Sequence, residues 1–252
     1  MTTKVLFTGT ATVVPGAGQD TACLLVNQDC LFDTGWNAAV NMQQYDCNPL
    51  DVRLLFITHC HHDHYIGLPQ LLFLHAMKGK PRLTIVGPKP DIHMIVERAC
   101  RFLRDDQFRD IINPPEIHAL QAGQTYEDDV YEVTTAPTVH PVVGLCYRLR
   151  DKRTGSTMAV TGDTAYHEPL ARHVAGVDLL VHEASRGAVE SDPLAVGGHS
   201  GSIDAARIAA AAKVEKLALT HYPRVKRAEI LAAAEAVFPN TMAAVEGDLL
   251  EL

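Results

Sequence analysis

Residues 54–69 read LLFITHCHHDHYIGLP. An apolar, strand-like run ends at Thr58, and the next six positions carry five polar side chains: His59, His61, His62, Asp63 and His64. An apolar, helix-like run follows. Imidazole and carboxylate are ligands that suit zinc, iron and manganese. Packing so many on one tight loop between two apolar segments makes sense when a cation offsets the cost of burying them. His59 and His61 stand two apart, so in an extended segment they point the same way. Asp63 and His64 open the next helix, where the turn can aim them at a second cation next door. His62 is out of step with both pairs and reads as a solvent-facing or supporting residue.

Short apolar runs alternate with helical stretches along the remainder, with no linker, repeat or low-complexity segment. Strands are predicted at Lys4–Thr8, Thr21–Val26, Cys30–Phe32, Arg53–Ile57, Arg82–Val86, Val130–Thr135, Gly144–Arg150, Thr157–Thr161, Asp178–His182, Lys216–Thr220 and from Met242 onward. Helices are predicted at Asn37–Gln44, His64–Met77, Asp91–Arg104, Glu168–Val174, Ser202–Ala212 and Arg227–Val237, with Ser202 as an N-cap. The strands crowd together early and alternate with helices later. That order predicts an α/β fold in one domain over residues 1–252: two mixed sheets packed together with helices outside, an αββα sandwich.

Thirteen histidines are an excess for 252 residues, and several sit at the ends of predicted strands. His140 lies in Thr138-Val139-His140-Pro141-Val142, followed by Gly144-Leu145-Cys146-Tyr147-Arg148-Leu149. Downstream come Thr161-Gly162-Asp163-Thr164, Asp178-Leu179-Leu180-Val181-His182-Glu183-Ala184, Gly198-His199-Ser200 and Leu219-Thr220-His221-Tyr222-Pro223-Arg224. Upstream are Thr8-Gly9-Thr10 and Phe32-Asp33-Thr34-Gly35. Together with the H-x-H-x-D-H string of His59, His61, Asp63 and His64 and the following Gly67-Leu68-Pro69, this series resembles the metallo-β-lactamase superfamily. The branch it resembles is that of ribonuclease Z and related phosphodiesterases.

The resemblance implies two divalent metal ions, zinc first and manganese or iron as alternatives. His59, His61 and His140 would hold one, Asp63, His64 and His221 the other, and Asp163 would bridge them. Asp33 would orient a ligating histidine. Read alone, Asp163 in its Thr-Gly-Asp-Thr turn suits an Asx turn equally. His182 reads equally as a satisfied core histidine, and Glu183 as the partner of a nearby His or Arg; the resemblance makes them supports of the site or proton relays. His199 follows two glycines that permit close approach of the chain to a ligand, which suits an acid near neutral pH, with a helix-capping loop as the plain alternative.

The chain departs from ribonuclease Z in places. Only 23 positions separate His140 from Asp163, no Gly-rich or Lys-rich arm lies between His64 and His140, and Pro15-Gly16-Ala17-Gly18-Gln19 replaces an Arg-Asn element. The net charge of −8 disfavours long RNA and anionic membranes, which need neutralising cations. The expected activity is hydrolysis of a small phosphodiester by a hydroxide bridging the two metals, with Asp63, His199 and Glu183 as catalytic candidates. Alternatives are hydrolysis of a lactone, thioester or sulfate ester, tRNA 3′ processing, and a non-hydrolytic metal-binding or biosynthetic role. Six cysteines without a C-x-x-C pair read as reduced thiols, and no apolar run reaches the ~20 residues of a spanning helix. A cytoplasmic enzyme is expected, with a homodimer left open.

Overall fold

Apolar residues on both faces of a strand demand cover on both sides, and most strands here show that pattern. In a computed structural model describing residues 1–79, 82–108, 114–191 and 197–252, they form two seven-stranded sheets. The chain enters the first sheet through β1 (Lys4–Gly9), β2 (Cys23–Val26), β3 (Cys30–Phe32), β4 (Leu54–Phe56), β5 (Thr84–Pro88) and β6 (Glu116–Leu120). It then builds the second from β7 (Thr125–Glu127), β8 (Tyr131–Pro137), β9 (Leu145–Asp151), β10 (Thr157–Val160), β11 (Leu179–Glu183), β12 (Lys216–Thr220) and β13 (Thr241–Ala243). The last strand, β14 (Leu249–Glu251), returns to pair with β1. Each sheet is mixed: β3 to β6 run parallel in the first and β10 to β13 in the second.

Helices α1 (Ala38–Gln44), α2 (His62–Tyr65), α3 (Leu68–Met77) and α4 (Asp91–Phe102) belong to the first half. Helices α5 (Leu170–His173), α6 (Ser202–Ala212) and α7 (Arg227–Glu235) belong to the second. Side chains alternate across each strand. Val5, Leu24, Phe32, Phe56, Tyr147 and Val181 face the core between the sheets, where Phe32 stacks on Phe56 at 5.0 Å. Leu6, Leu25 and Leu55 face outward to α1, α3 and α4, while Leu180 and Leu217 face α5 to α7. The αββα sandwich expected from the sequence is the fold observed.

Four details differ from the expectation. The single helix expected over His64–Met77 is two, because Gly67 turns the chain against the main chain of the 34–35 loop. Gly67 N donates to Gly35 O at 2.9 Å, and a Cβ on Gly67 would stand 2.9 Å from Thr34 O. Ser202 is the first residue of α6 and not its cap; Gly201 takes that place, where a Cβ would meet Val189 O at 2.0 Å. The strands β6 and β7 were not anticipated: β7 has three residues with only Tyr126 buried, and β6 is half-exposed along most of its length. The tail from Met242 is two strands in opposite sheets. Among the described residues, no helix is long and apolar enough to cross a membrane.

Candidate metal centre

The polar loops emerge where parallel strands end, which is where α/β sheets collect ligands. β4 leads into His59 and α2, β10 into Asp163, β11 into Glu183, and β12 into His221; His140 lies in the turn between β8 and β9. The sheets touch here: Leu145 N donates to Thr58 O at 2.9 Å, and His59 forms an isolated bridge with Gly144. That contact carries His140 across to the His59 loop. α2 starts at His62, so Asp63 and His64 turn inward and are buried while His62 stays exposed.

Three imidazole nitrogens converge. His61 Nδ1 stands 3.2 Å from His59 Nε2 and 2.9 Å from His140 Nε2. His140 Nδ1 donates to Gly198 O at 2.8 Å, so its Nε2 presents a lone pair to the others. Asp163 Oδ2 lies 3.7 Å from His59 Nε2 and 3.6 Å from His64 Nε2. On the other side of Asp163, Asp63 Oδ2 lies 3.6 Å from His64 Nε2 and 3.3 Å from His221 Nε2. Donor atoms held tetrahedrally at about 2.0–2.2 Å from one ion stand about 3.3–3.6 Å apart, and these separations bracket that spacing.

Two groupings thus meet the geometric demands of a cation site: His59, His61, His140 and Asp163, and Asp63, His64 and His221. A third, Asp163, His199 and His221, overlaps both. His64 Nε2 and Asp163 Oδ1 are buried without a hydrogen-bond partner, the kind of orphaned atom that a bound ion satisfies. The charges lean the same way. Burial pulls His64 down, yet the carboxylates of Asp163 and Asp33 hold it well above the usual imidazole range. Burial pushes Asp163 up, yet His221, His64 and His59 hold it well below the usual carboxylate range. Burial, reinforced by His64, holds His59 well down. The buried carboxylates call for positive charge between them, and the donor set fits a divalent cation on each side of Asp163.

A supporting layer fixes these rings. Asp33, at a left-handed φ of 53°, accepts from Thr58 N at 2.7 Å, from Thr58 Oγ1 at 2.8 Å and from His64 Nδ1 at 2.7 Å. The Asp33 expectation therefore meets a specific partner, His64. Glu183 is buried and accepts from Thr164 N at 2.8 Å, from Ser185 N at 3.0 Å and from His199 Nδ1 at 2.9 Å. Through that last contact it holds the His199 ring. Burial would lower His199, but the Glu183 carboxylate outweighs this and raises it. His182 is buried, with its Nδ1 2.8 Å from Glu183 O, and it belongs to none of the donor groupings. The sequence reading passed over three hydroxyls: Thr21, which donates to Asp63 O at 2.6 Å, Thr58, and Ser185, 2.6 Å from His221 Nδ1. Thr58 directly precedes the ligand His59, and that adjacency was its available signal; Ser185 meets His221 only through the fold.

Comparison with known proteins agrees with this picture. Residues 29–222 match the family described as "Beta-lactamase superfamily domain". Ribonuclease Z of Methanothermobacter thermautotrophicus is 30% identical over 290 aligned positions, covering 94% of this chain and 93% of that protein. That span exceeds this chain's own length, so the relative carries several dozen positions without a counterpart here. The metallo-β-lactamase fold protein YhfI of Bacillus subtilis superposes with a TM-score of 0.82 at 25% identity, covering 100% of both chains. A diphosphatase of the PhnP family superposes at 0.74 and 18% identity, covering 100% of this chain and 98% of that one.

Proposed function

This chain belongs to the beta-lactamase superfamily, in the branch that holds ribonuclease Z, and on that premise we propose that it is a metal-dependent phosphodiesterase acting on a small molecule. The observation that carries this reading is the pair of donor groupings meeting at buried Asp163. His59, His61 and His140 would hold one divalent cation and Asp63, His64 and His221 the other, with Asp163 shared; zinc suits the nitrogen-rich set, and manganese or iron are the alternatives. Cations there supply Lewis acidity toward a phosphoryl oxygen and make water nucleophilic at neutral pH.

The chain's own residues do the rest. Asp63 takes up the proton of the attacking water. His199, held through Nδ1 by Glu183, keeps its other nitrogen free to protonate the departing oxygen. The small-substrate preference is supported by the net charge of −8 and by the positions that ribonuclease Z has and this chain lacks. Folded RNA needs phosphate contacts over a broad basic surface. Of the cations toward the His221 end, Arg186 acts on the charge of His199 and Arg224 is paired with Glu246. A fold of this shape serves a PhnP-family diphosphatase, which is support by analogy. tRNA 3′ processing is the second reading, favoured by the 30% identity to a ribonuclease Z along nearly the whole chain.

Six unpaired cysteines, five of them buried, suit a reducing cytoplasm. An apolar groove of ≈ 590 Å³ lies between α3 and α4, where Phe73 and Phe102 stand exposed. The activity test is a panel of chromogenic phosphodiester, lactone, thioester and sulfate substrates beside a tRNA with a 3′ trailer, with and without chelator. Chelator-sensitive turnover of bis(p-nitrophenyl) phosphate with an intact trailer is expected. Efficient trailer removal would transfer the chain to the second reading, and turnover of a lactone, thioester or sulfate alone would make it another kind of esterase. Silence throughout, with cations bound, would leave a non-hydrolytic protein.

A further inference from the structure

The ligand histidines are held differently. His64 leans on a carboxylate and His140 on a main-chain carbonyl, whereas His221 leans on one hydroxyl, that of Ser185. The parallel register sets this up. Glu183 lies opposite Thr220 where β11 and β12 end, so the second residue beyond one strand meets the first beyond the other. Ser185 is itself anchored, because its N–H donates to Glu183 Oε2 at 3.0 Å. Its Oγ lies 2.9 Å from His221 O and 2.6 Å from His221 Nδ1.

A hydroxyl has one proton. Donated to His221 O, it leaves Oγ as the acceptor for Nδ1–H, and Nε2 then carries a bare lone pair facing Asp63. The main-chain bond matters as well, because His221 sits at a left-handed φ of 50°, where a histidine needs outside support. A competitor stands close: Asp163 Oδ1, unpartnered, is 3.4 Å from the same Nδ1. Without Ser185, the Nδ1 proton would turn to Oδ1 of Asp163, the carboxylate that stands between the two groupings.

We propose that Ser185 is a positioning residue that fixes the tautomer of His221 and thereby sets the affinity of the Asp63–His64–His221 grouping for its cation. This rests on the ligand assignment above. The experiment is zinc binding by competition with a chromophoric chelator, on the wild-type protein, Ser185→Ala and Ser185→Thr, with thermal melts of each metal-free protein. The wild type is expected to take two ions. Ser185→Ala should keep the first at wild-type affinity and bind the second about 10–100-fold more weakly. Ser185→Thr, which retains the hydroxyl, should recover the second, with all three metal-free proteins melting in a single cooperative transition. Unchanged binding by Ser185→Ala, equal weakening of both ions, or a Thr variant as weak as the Ala variant would overturn the proposal while leaving the assignment standing. A wild-type protein that takes no second ion would overturn both.

Discussion

At the residue scale, ligands and supports are expected to separate on substitution. Asp163 is buried among His59, His64 and His221, so Asp163→Ala should lose bound metal and activity together. His199 touches Glu183 and stands 3.8 Å from Asp163. His199→Ala should keep its metal and lose about 10²–10⁴-fold in turnover, the usual worth of a general acid. Metal analysis beside steady-state kinetics checks both, and a metal-free His199→Ala protein would contradict the division. Gly198 is a different case. Its φ is +61°, and a Cβ there would lie 2.7 Å from His140 Cα. Gly198→Ala should destabilise the fold by about 1–3 kcal/mol and weaken metal binding with it, read by calorimetry and chelator competition. The histidines and aspartates of the cluster were legible because metal ligands are few in kind and sit in short strings. Thr58 was not, because a hydroxyl one step from a ligand looks like any turn residue, and Ser185 was not, because its partner ring lies 36 positions along the chain.

At the scale of elements, the two sheets are tied at the edge by β3, β8 and β9. Tyr131 is fully buried; its hydroxyl donates to Asp29 Oδ1 at 2.5 Å and accepts from Asn27 Nδ2 at 3.2 Å and an Arg153 nitrogen at 3.1 Å. Arg53 and Arg153 lie over its ring at 5.4 and 5.3 Å, and they pair with Asp128 and Asp151. Tyr131→Phe should cost about 1–3 kcal/mol in denaturant unfolding, since a buried hydroxyl with charged partners is lost. The lock depends on pH. Burial would raise Asp128 and Asp151, but Arg53 and Arg153 respectively hold both below the usual range. A depressed carboxyl contributes stability above its unfolded pKa and loses it as pH falls through the folded one, so the lock should loosen below about pH 4. The difference between wild type and Tyr131→Phe should therefore shrink at low pH; a constant difference would mean that these charges do not support the lock. Elements with continuous apolar runs, such as β1, β2 and β11, were visible in the sequence. β6 and β7 escaped because little of them is buried, and the break at Gly67 because its cause is the distant 34–35 main chain.

For the whole molecule, the sandwich brings segments more than 150 residues apart to one edge, and this is what the order of strings foreshadowed without giving distances. The central claim is narrower: the cluster around Asp163 is a two-cation centre. Elemental analysis of protein reconstituted with zinc and freed of excess tests it directly. About two zinc ions per chain, falling sharply in Asp163→Ala, is the predicted result. Well under one ion per chain, with no hydrolytic activity restored by added zinc, manganese or iron, would contradict it.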